Sequence, residues 1–406
     1  MSAGGIYVHI PFCESKCGYC AFNSRPLVEG GPVNAAGEAA GCVPGKVPPQ
    51  VQEEYMGALL LDIDRESAGW THAAFGSVYL GGGTPSLLSP RQVEIIIEAL
   101  RRGFRIEEDA EVTIECNPGS IDYVRARAWR DLGVNRISVG VQSLSEAGLR
   151  ALGRRHSAAD ALAALEMARA AGFENVSADL MLGIPGQRRE SLGATLKHLV
   201  DLADHISAYL LSVEPGTEFE RLAGLGRLDL PEESAVIELF EQTDRDLVGA
   251  GFRRYEVSNW SRPGFECRHN LLYWRRGEYA GLGAGAHSHR AGIRYSRVES
   301  PAEYIALLGC GSDPVEMRER LTGDQILMEE IMLGLRTGRG LDISNLRESQ
   351  ETNRRRMDAA IEDLIGQGLL SKSGNFLQLS PNGVKVCDSV TESVCTSALP
   401  RRHTLS

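Results

Sequence analysis

Three cysteines close to the N-terminus are the residues of this sequence best suited to chemistry. Cys13, Cys17 and Cys20 form a C-x3-C-x2-C spacing. Thiolates are the usual ligands of iron–sulfur clusters, and three of them would leave one iron of a [4Fe–4S] cluster open to a small molecule. Zinc is the competing metal for these thiolates, although a structural zinc site needs a fourth protein ligand. Three reduced thiols in a loop are the remaining interpretation.

Other polar residues that suit ligand binding follow successive apolar runs. Carboxylate and amide side chains fit ribose hydroxyls, and an arginine fits a carboxylate. Glycines allow a ligand to approach the backbone closely. Each of these residues alone is equally compatible with a helix cap or an ion pair, but together they predict a nucleoside pocket. The residues of this pocket are Glu115, Gln142, Arg154 and Asp179, whereas the segment with Gly82, Gly83 and Thr84 could hold an amino-acid head group or be only a turn.

The elements that must position these residues are short apolar strands alternating with amphipathic helices. Six predicted strands cover residues 5–10, 77–80, 111–115, 136–141, 176–182 and 206–213. Such an alternation predicts a parallel α/β sheet, arranged as a partial barrel or a doubly wound sheet. In both architectures the site lies at the carboxyl ends of the strands, where the candidate residues cluster.

Composition limits the classes of function. The chain has 406 residues, nine cysteines and a formal net charge of -11. An odd cysteine count without a visible secretory signal favours a reducing, cytoplasmic compartment over a disulfide framework. No apolar run is long enough to span a bilayer, so any membrane contact is expected to be peripheral. The acidic balance argues against nucleic-acid binding.

The cysteine spacing at the end of the first predicted strand resembles the radical S-adenosylmethionine (SAM) superfamily. This resemblance implies a partial (β/α)6 barrel with a [4Fe–4S] cluster on Cys13, Cys17 and Cys20, whose open iron is chelated by SAM. It implies a 5′-deoxyadenosyl radical when SAM is cleaved. It also implies a set of SAM-binding residues, with Arg155 as the alternative to Arg154. That set is Tyr7, Gly82, Gly83, Thr84, Glu115, Gln142, Arg154 and Asp179.

Longer motifs narrow the resemblance to the oxygen-independent coproporphyrinogen III dehydrogenase group, over residues 5–385. The motifs are YVHIPFC, GGGTPS, ECNPGS, SVGVQS, LGRRH and DLMLGIPGQ. The group contains dehydrogenases (HemN) and heme chaperones of the HemW type. The dehydrogenases carry a fourth cysteine two residues after the third, where this chain has Phe22, and a longer segment before the cluster. Both departures favour the chaperones.

A histidine in the second half of the chain is the candidate heme ligand. His269 opens the string HNLLYW, which resembles an H-N-x-x-Y-W motif whose histidine is implicated in heme binding in the chaperones. Histidine is a common axial ligand of heme iron. A structural histidine packed beside core aromatics is the alternative. His287 and His289 lie in a glycine-rich segment that is expected to close the lower face of the pocket.

The sequence pattern and the resemblance together predict four parts of the chain: the partial barrel over 1–230, with a loop insertion at 26–50; a barrel extension with the HNLLYW segment over 231–320; a C-terminal α+β winged-helix-like domain over 321–388; and a disordered tail over 389–406. The insertion and the tail are departures from the resemblance. The expected function is that of a heme chaperone with a SAM-ligated cluster, delivering heme to acceptor hemoproteins such as membrane respiratory complexes. The alternatives are oxidative decarboxylation of coproporphyrinogen III to protoporphyrinogen IX, and a zinc-binding scaffold.

Overall fold

The computed structural model describes residues 3–27, 49–344, 346 and 351–399. Residues 28–48 of the insertion predicted at 26–50 therefore lie outside the described residues, as do residues 400–406 of the predicted tail. None of the described helices is both long enough and apolar enough to cross a membrane.

Strands and helices alternate through the first half of the chain. In order they are β1 Gly4–Ile10, β2 Phe12–Cys13, β3 Arg25–Pro26, α1 Pro49–Ser67, β4 Ala74–Gly82, α2 Pro90–Gly103, β5 Arg105–Cys116, α3 Tyr123–Asp131, β6 Arg136–Gln142, α4 Glu146–Ala151, α5 Ala158–Ala170, β7 Asn175–Leu182, α6 Arg189–Leu202 and β8 His205–Leu210. The parallel strands lie side by side in the order β1-β4-β5-β6-β7-β8. The predicted α/β fold class is confirmed.

Each parallel strand has an apolar face and a polar face. On β6, Ile137 and Val139 are fully buried in the core formed with the helices. Arg136 and Ser138, which alternate with them, line a central cavity instead. Because side chains along a strand point to opposite faces in turn, this alternation directs the polar residues of every strand toward one interior space.

Further strands extend the sheet on both sides of these six. The elements are α7 Glu218–Gly224, α8 Glu233–Gly249, β9 Arg253–Glu256, β10 Asn259–Ser261, α9 Arg268–Trp274, β11 Tyr279–Leu282, β12 His287–Arg290, β13 Ile293–Arg297, α10 Pro301–Gly309 and β14 Val315–Arg320. Strand β11 is parallel to β1, and β12–β14 continue antiparallel from it. Strands β9 and β10 form an antiparallel hairpin.

The C-terminal elements enclose a second core. They are α11 Gly323–Leu335, β15 Leu341–Asp342, α12 Glu351–Gly366, β16 Leu370–Ser373, β17 Phe376–Leu379, α13 Pro381–Lys385 and α14 Cys387–Ala398. Strands β16 and β17 form an antiparallel hairpin, and the short strand β15 adds a third member to its sheet. Ile331, Leu335 and Leu377 lie at the centre of this core.

The prediction of disorder from residue 389 is wrong as far as Ala398. Helix α14 buries Val390, Val394 and Ala398 in the C-terminal core. These residues are spaced four apart, which places them on one face of a helix. The serines and threonines between them made the segment look polar throughout, although its apolar residues follow a helical period.

Candidate functional site

A cavity of about 490 Å³ extends from the carboxyl ends of the parallel strands down to the starts of β6 and β8. The structure brings together the three predicted cluster cysteines and seven of the eight predicted SAM residues around it. Those lining the cavity are Cys13, Cys17, Cys20, Gly82, Gly83, Thr84, Glu115, Gln142, Arg154 and Asp179. A concave site of this volume, with convergent polar groups, is typical of a small-molecule pocket.

Two of the cysteine sulfurs already have hydrogen-bond donors directed at them. The Thr84 hydroxyl donates to Sγ of Cys13 at 3.5 Å. Nη1 of Arg154 donates to Sγ of Cys17 at 3.4 Å. Burial raises the pKa of the Cys13 and Cys20 thiols, which opposes their ionisation. Donors and a nearby positive charge favour thiolates, so this chemistry fits a set of metal-binding sulfurs.

The cysteines are not gathered around a single point. Across the described residues, no group of three or more His, Cys, Asp or Glu side chains is arranged to hold one metal ion. In a [4Fe–4S] cluster each thiolate binds a different iron, so the sulfurs need not meet at one centre.

Two glycines allow the cysteine loop to lie against the end of β4. Gly82 has a φ of +110°, and a Cβ there would lie 2.6 Å from Cε1 of His9. A Cβ on Gly83 would lie 2.5 Å from the carbonyl oxygen of Phe12. Backbone atoms cannot move aside as a flexible side chain can, so Gly83 is required by the close approach of the segment that carries Cys13.

Glu115 is a buried carboxyl group at the end of β5. Its Oε1 accepts a hydrogen bond of 2.8 Å from the Tyr79 hydroxyl, and its Oε2 accepts one of 3.1 Å from the Gly82 amide. Burial raises the pKa of Glu115 to about 7. A ribose hydroxyl can donate a hydrogen bond to a carboxyl oxygen whether or not the group is ionised.

Asp179 lies lower in the cavity, surrounded by hydroxyl groups. It accepts hydrogen bonds from the side chains of Ser138 at 3.0 Å and Ser207 at 2.7 Å. Burial raises the pKa of Asp179 even though these donors favour its charged form. A carboxyl group held by hydroxyls in this way presents a fixed acceptor to a polar ligand.

Arg154 and Arg155 were both candidates for binding the SAM carboxylate, and the structure places them differently. Nη2 of Arg154 donates to Oδ1 of Asn117 at 2.6 Å and to the carbonyl oxygen of Gly140 at 3.0 Å. Arg155 is exposed and does not line the cavity.

Gln142 lines the cavity with a φ of 62°, an uncommon conformation for a residue with a side chain, and such strain occurs often at functional sites.

Asn117 is a cavity residue that the sequence reasoning did not assign. Its Nδ2 donates to Oγ1 of Thr84 at 3.1 Å, and its Oδ1 accepts from Arg154. It therefore links the two residues that donate to Cys13 and Cys17. The sequence could have indicated it, because Asn117 is a polar residue that follows Glu115 and Cys116 at the end of a strand.

Tyr7 departs from the predicted set because it does not line the cavity. Its hydroxyl is hydrogen-bonded to Nδ1 of His9 at 2.9 Å, and its ring stacks on Tyr79 with centroids 6.2 Å apart. Nε2 of His9 is hydrogen-bonded to the carbonyl oxygen of Asn23 at 2.7 Å. These contacts engage both ring nitrogens of His9 and anchor the start of the cysteine segment.

His269 lies beneath the cavity and does not line it, although its neighbours Cys267 and Asn270 do. Its Nδ1 is joined to the Ser77 hydroxyl and its Nε2 to the Tyr273 hydroxyl, both at 2.9 Å. Burial, followed by the charge of Arg136, lowers the pKa of His269 to about 3. The neutral ring thus has no free nitrogen for a heme iron in this arrangement.

A second histidine has the same contacts at the start of β8. Nδ1 of His205 is joined to the Ser177 hydroxyl at 2.9 Å and Nε2 to the Tyr255 hydroxyl at 2.8 Å. Burial lowers the pKa of His205 as well. Among the described residues, a serine–histidine–tyrosine chain therefore occurs at least twice, once including His269 of the HNLLYW string and once outside it. His287 and His289 lie on β12 and do not line the cavity.

Comparison with known proteins places this geometry in a family. Residues 7–199 match the Radical SAM superfamily, and residues 321–386 match the HemN C-terminal domain. The solved structure of coproporphyrinogen III oxidase (HemN) from Escherichia coli, described as a radical SAM enzyme, superposes with a TM-score of 0.78 at 22% identity. It covers 98% of this chain and 90% of its own. This likeness shows that the fold is shared.

Two relatives are similar over nearly their whole length. The heme chaperone HemW of Mycobacterium tuberculosis is 35% identical, covering 96% of this chain and 94% of its own. The heme chaperone HemW of Bacillus subtilis is 33% identical, covering 93% of this chain and 95% of its own. Since identity at this level extends through both the sheet and the C-terminal elements, the chain belongs to the HemW family of radical SAM proteins.

Proposed function

We propose that this protein is a heme chaperone that binds heme and delivers it to acceptor hemoproteins, such as membrane respiratory complexes. The observation that carries the proposal is identity of 33–35% over at least 93% of the chain with proteins named as heme chaperones. Phe22 supports it. This residue stands where the dehydrogenases have a fourth cysteine, and it lies at the cavity with 69% of its surface exposed.

The proposal includes a [4Fe–4S] cluster on Cys13, Cys17 and Cys20, with SAM at its open iron. When bound, the cluster and SAM supply one-electron chemistry or act as a regulated part of the site. Thr84 and Arg154 stabilise the cysteine thiolates through their hydrogen bonds. Glu115 and Asp179 present carboxyl groups to the nucleoside.

Iron and acid-labile sulfide measured after anaerobic reconstitution test the cluster assignment. We expect about four of each per chain in the wild type, and a severe loss in Cys17→Ser. Cys116→Ser is the matched control, because Cys116 is a buried thiol that lines the same cavity without belonging to the motif. Equal iron in the two variants, or zinc without sulfide, would refute the cluster.

Heme binding is tested by titration followed through the Soret band, and delivery by transfer to an apo-hemoprotein. We propose His269 as the iron ligand, which requires the bond between Nε2 and the Tyr273 hydroxyl to break. Saturable heme binding with transfer to the acceptor supports the chaperone. The absence of saturable binding to the wild type with its cluster loaded would refute it.

Coproporphyrinogen III decarboxylation is the second candidate, favoured by the fold shared with HemN and by the complete polar cavity. An anaerobic assay with SAM, dithionite and coproporphyrinogen III separates the two functions. Formation of protoporphyrinogen together with 5′-deoxyadenosine would overturn the chaperone assignment. Intact cluster and cleavage of SAM without a porphyrin product would exclude the dehydrogenase.

A further inference from the structure

An arginine lies at the floor of the cavity, far from the cysteines. Arg136 is the first residue of β6 and is 2% exposed, and it lines the same cavity as Gln142 at the other end of that strand. Six residue steps separate the two, which corresponds to about 20 Å along a strand. The backbone of Arg136 therefore lies at the deep end of the cavity, and its side chain is close enough to Glu115 and Asp179 for its charge to oppose the rise in pKa that burial causes in both carboxyl groups.

Among the described residues, the positive charge of Arg136 has no partner within hydrogen-bonding distance. Its Nε and Nη1 are buried without an acceptor, and no hydrogen bond or ion pair joins its side chain to any described residue. Against the effect of burial, the nearby carboxylate of Glu111 helps to raise the pKa of Arg136, but no described side chain accepts a hydrogen bond from its Nε or Nη1, and buried donors normally have an acceptor. The arrangement indicates that the partner is a bound molecule.

Two residues beside Arg136 in the sheet also hold buried polar atoms without a hydrogen-bond partner. Thr113 on β5 and Asn175 on β7 are in direct register with it. Oγ1 of Thr113 and Oδ1 of Asn175 are also buried without a hydrogen-bond partner. Of these atoms only the guanidinium nitrogens of Arg136 belong to a residue that lines the cavity, and a ligand carboxylate could serve Arg136 but not Oδ1 of Asn175, which is itself an acceptor.

A neighbouring acidic residue does not fill this role. Glu111 accepts hydrogen bonds from the backbone amides of Arg268 at 3.0 Å and His269 at 3.1 Å, and from Sγ of Cys267 at 3.5 Å. These contacts fix the carboxylate of Glu111 against the start of α9 and leave the guanidinium of Arg136 unbonded. A carboxylate supplied by a ligand can make the two-pronged contact that arginine favours.

We propose that Arg136 binds a carboxylate of a second ligand, distinct from SAM, that reaches the floor of the cavity. This inference rests on the proposed function, under which the carboxylate is a heme propionate. The separation along β6 is the reason for a second ligand. The amino-acid end of SAM belongs at the open iron beside Cys13, Cys17 and Cys20, whereas Arg136 lies at the opposite end of the strand.

Heme and its dimethyl ester, which lacks both carboxylates, test the assignment without altering the protein. Each is titrated into the wild type, Arg136→Met, Arg136→Lys and the control Arg102→Met, which removes an exposed arginine on α2. We expect the wild type and the control to bind heme about tenfold or more tighter than the ester. Arg136→Met should bind both equally, and Arg136→Lys should fall between.

The possible results distinguish a failure of this inference from a failure of the proposed function. Heme binding to the wild type with no preference over the ester would overturn the role of Arg136 alone. Retention of the preference in Arg136→Met would also overturn that role. Failure of the wild type to bind heme would overturn both the chaperone and this subsite. Since the ester comparison needs no substitution, misfolding of a variant cannot hide the answer.

Discussion

The Tyr79 hydroxyl donates a hydrogen bond of 2.8 Å to Oε1 of Glu115 inside the cavity. This donor favours the charged carboxylate, yet burial has the larger effect and raises the pKa of Glu115 to about 7. The folded protein therefore holds this proton more tightly than the unfolded chain does, and its stability must depend on pH through this residue.

The variant Glu115→Gln isolates that dependence. Below the usual glutamate pKa of 4.5 both states are protonated, and the burial of Glu115 carries no charge penalty. As the pH rises through 7, the folded state must ionise a buried acid. Wild-type stability should therefore fall relative to Glu115→Gln by up to about 3 kcal/mol between roughly pH 4.5 and pH 8. Urea unfolding of the cluster-free proteins across this range measures the difference.

Glu108→Gln is the control, because Glu108 is exposed on the same strand. Its difference from the wild type should stay nearly constant with pH. A flat difference for Glu115→Gln as well would show that Glu115 ionises normally.

Gly83→Ala should disrupt the cysteine segment. The added Cβ would lie 2.5 Å from the Phe12 carbonyl oxygen and 2.9 Å from that of Ile10, so the backbone leading to Cys13 must shift. Overpacking of this kind costs about 1–3 kcal/mol, and the displaced sulfur should reduce cluster content several-fold. Gly119→Ala serves as the comparison, since a Cβ there meets no atom within 4 Å. Iron and sulfide per chain at full reconstitution would decide, and wild-type cluster content in Gly83→Ala would refute the steric argument.

Much of the site follows from the sequence because parallel strands end at a common edge. Gly82, Glu115 and Gln142 lie in or at the ends of three successive strands, so their types and positions were sufficient to bring them together. Asn117 could have been included by the same reasoning. The α/β alternation predicted the sheet for the same reason, since apolar runs of strand length between amphipathic helices have few other arrangements.

Arg136 could not be found in this way. A charged residue at the first position of an apolar run is normally the exposed boundary of a strand, and nothing local shows that it is buried and lacks a partner among the described residues. Contacts between distant segments of the chain could not be predicted from the sequence either. The chain from Ser77 through His269 to Tyr273 joins residues 192 positions apart and depends on where α9 packs. Strand β15 has two residues, too few to show a period.

Asp62 lies on a helix that covers one side of the sheet, and Asp62→Asn should strongly destabilise the fold. Asp62 accepts two hydrogen bonds from Arg297, at 2.6 and 2.9 Å, and one of 2.7 Å from the Tyr304 hydroxyl. Removing the charge leaves the fully buried guanidinium with less compensation, which costs about 3–5 kcal/mol in comparable buried pairs. The exposed Asp64 on the same helix gives the control Asp64→Asn, expected within about 0.5 kcal/mol of wild type. Chemical denaturation measures both, and equal stabilities would contradict a structural role for the pair.

Tyr273→Phe should strengthen heme binding if His269 is the iron ligand. The substitution keeps the ring, which packs edge-on against His269 with centroids 4.8 Å apart, and removes only the hydroxyl that occupies Nε2. Heme then no longer competes with a hydrogen bond worth about 1 kcal/mol, so affinity should rise several-fold. Titration through the Soret band measures this effect, and His269→Ala should abolish the histidine-ligated spectrum.

The fold supplies a matched control in Tyr255→Phe. This change frees Nε2 of His205 from a hydroxyl at 2.8 Å, within the same serine–histidine–tyrosine arrangement. If the effect of Tyr273→Phe came from loosening a buried tyrosine contact, Tyr255→Phe would reproduce it. Stronger binding in Tyr273→Phe alone identifies the His269 nitrogen as the one that heme takes. Unchanged Soret spectra in both Tyr273→Phe and His269→Ala would mean that His269 is structural and that the iron ligand lies elsewhere.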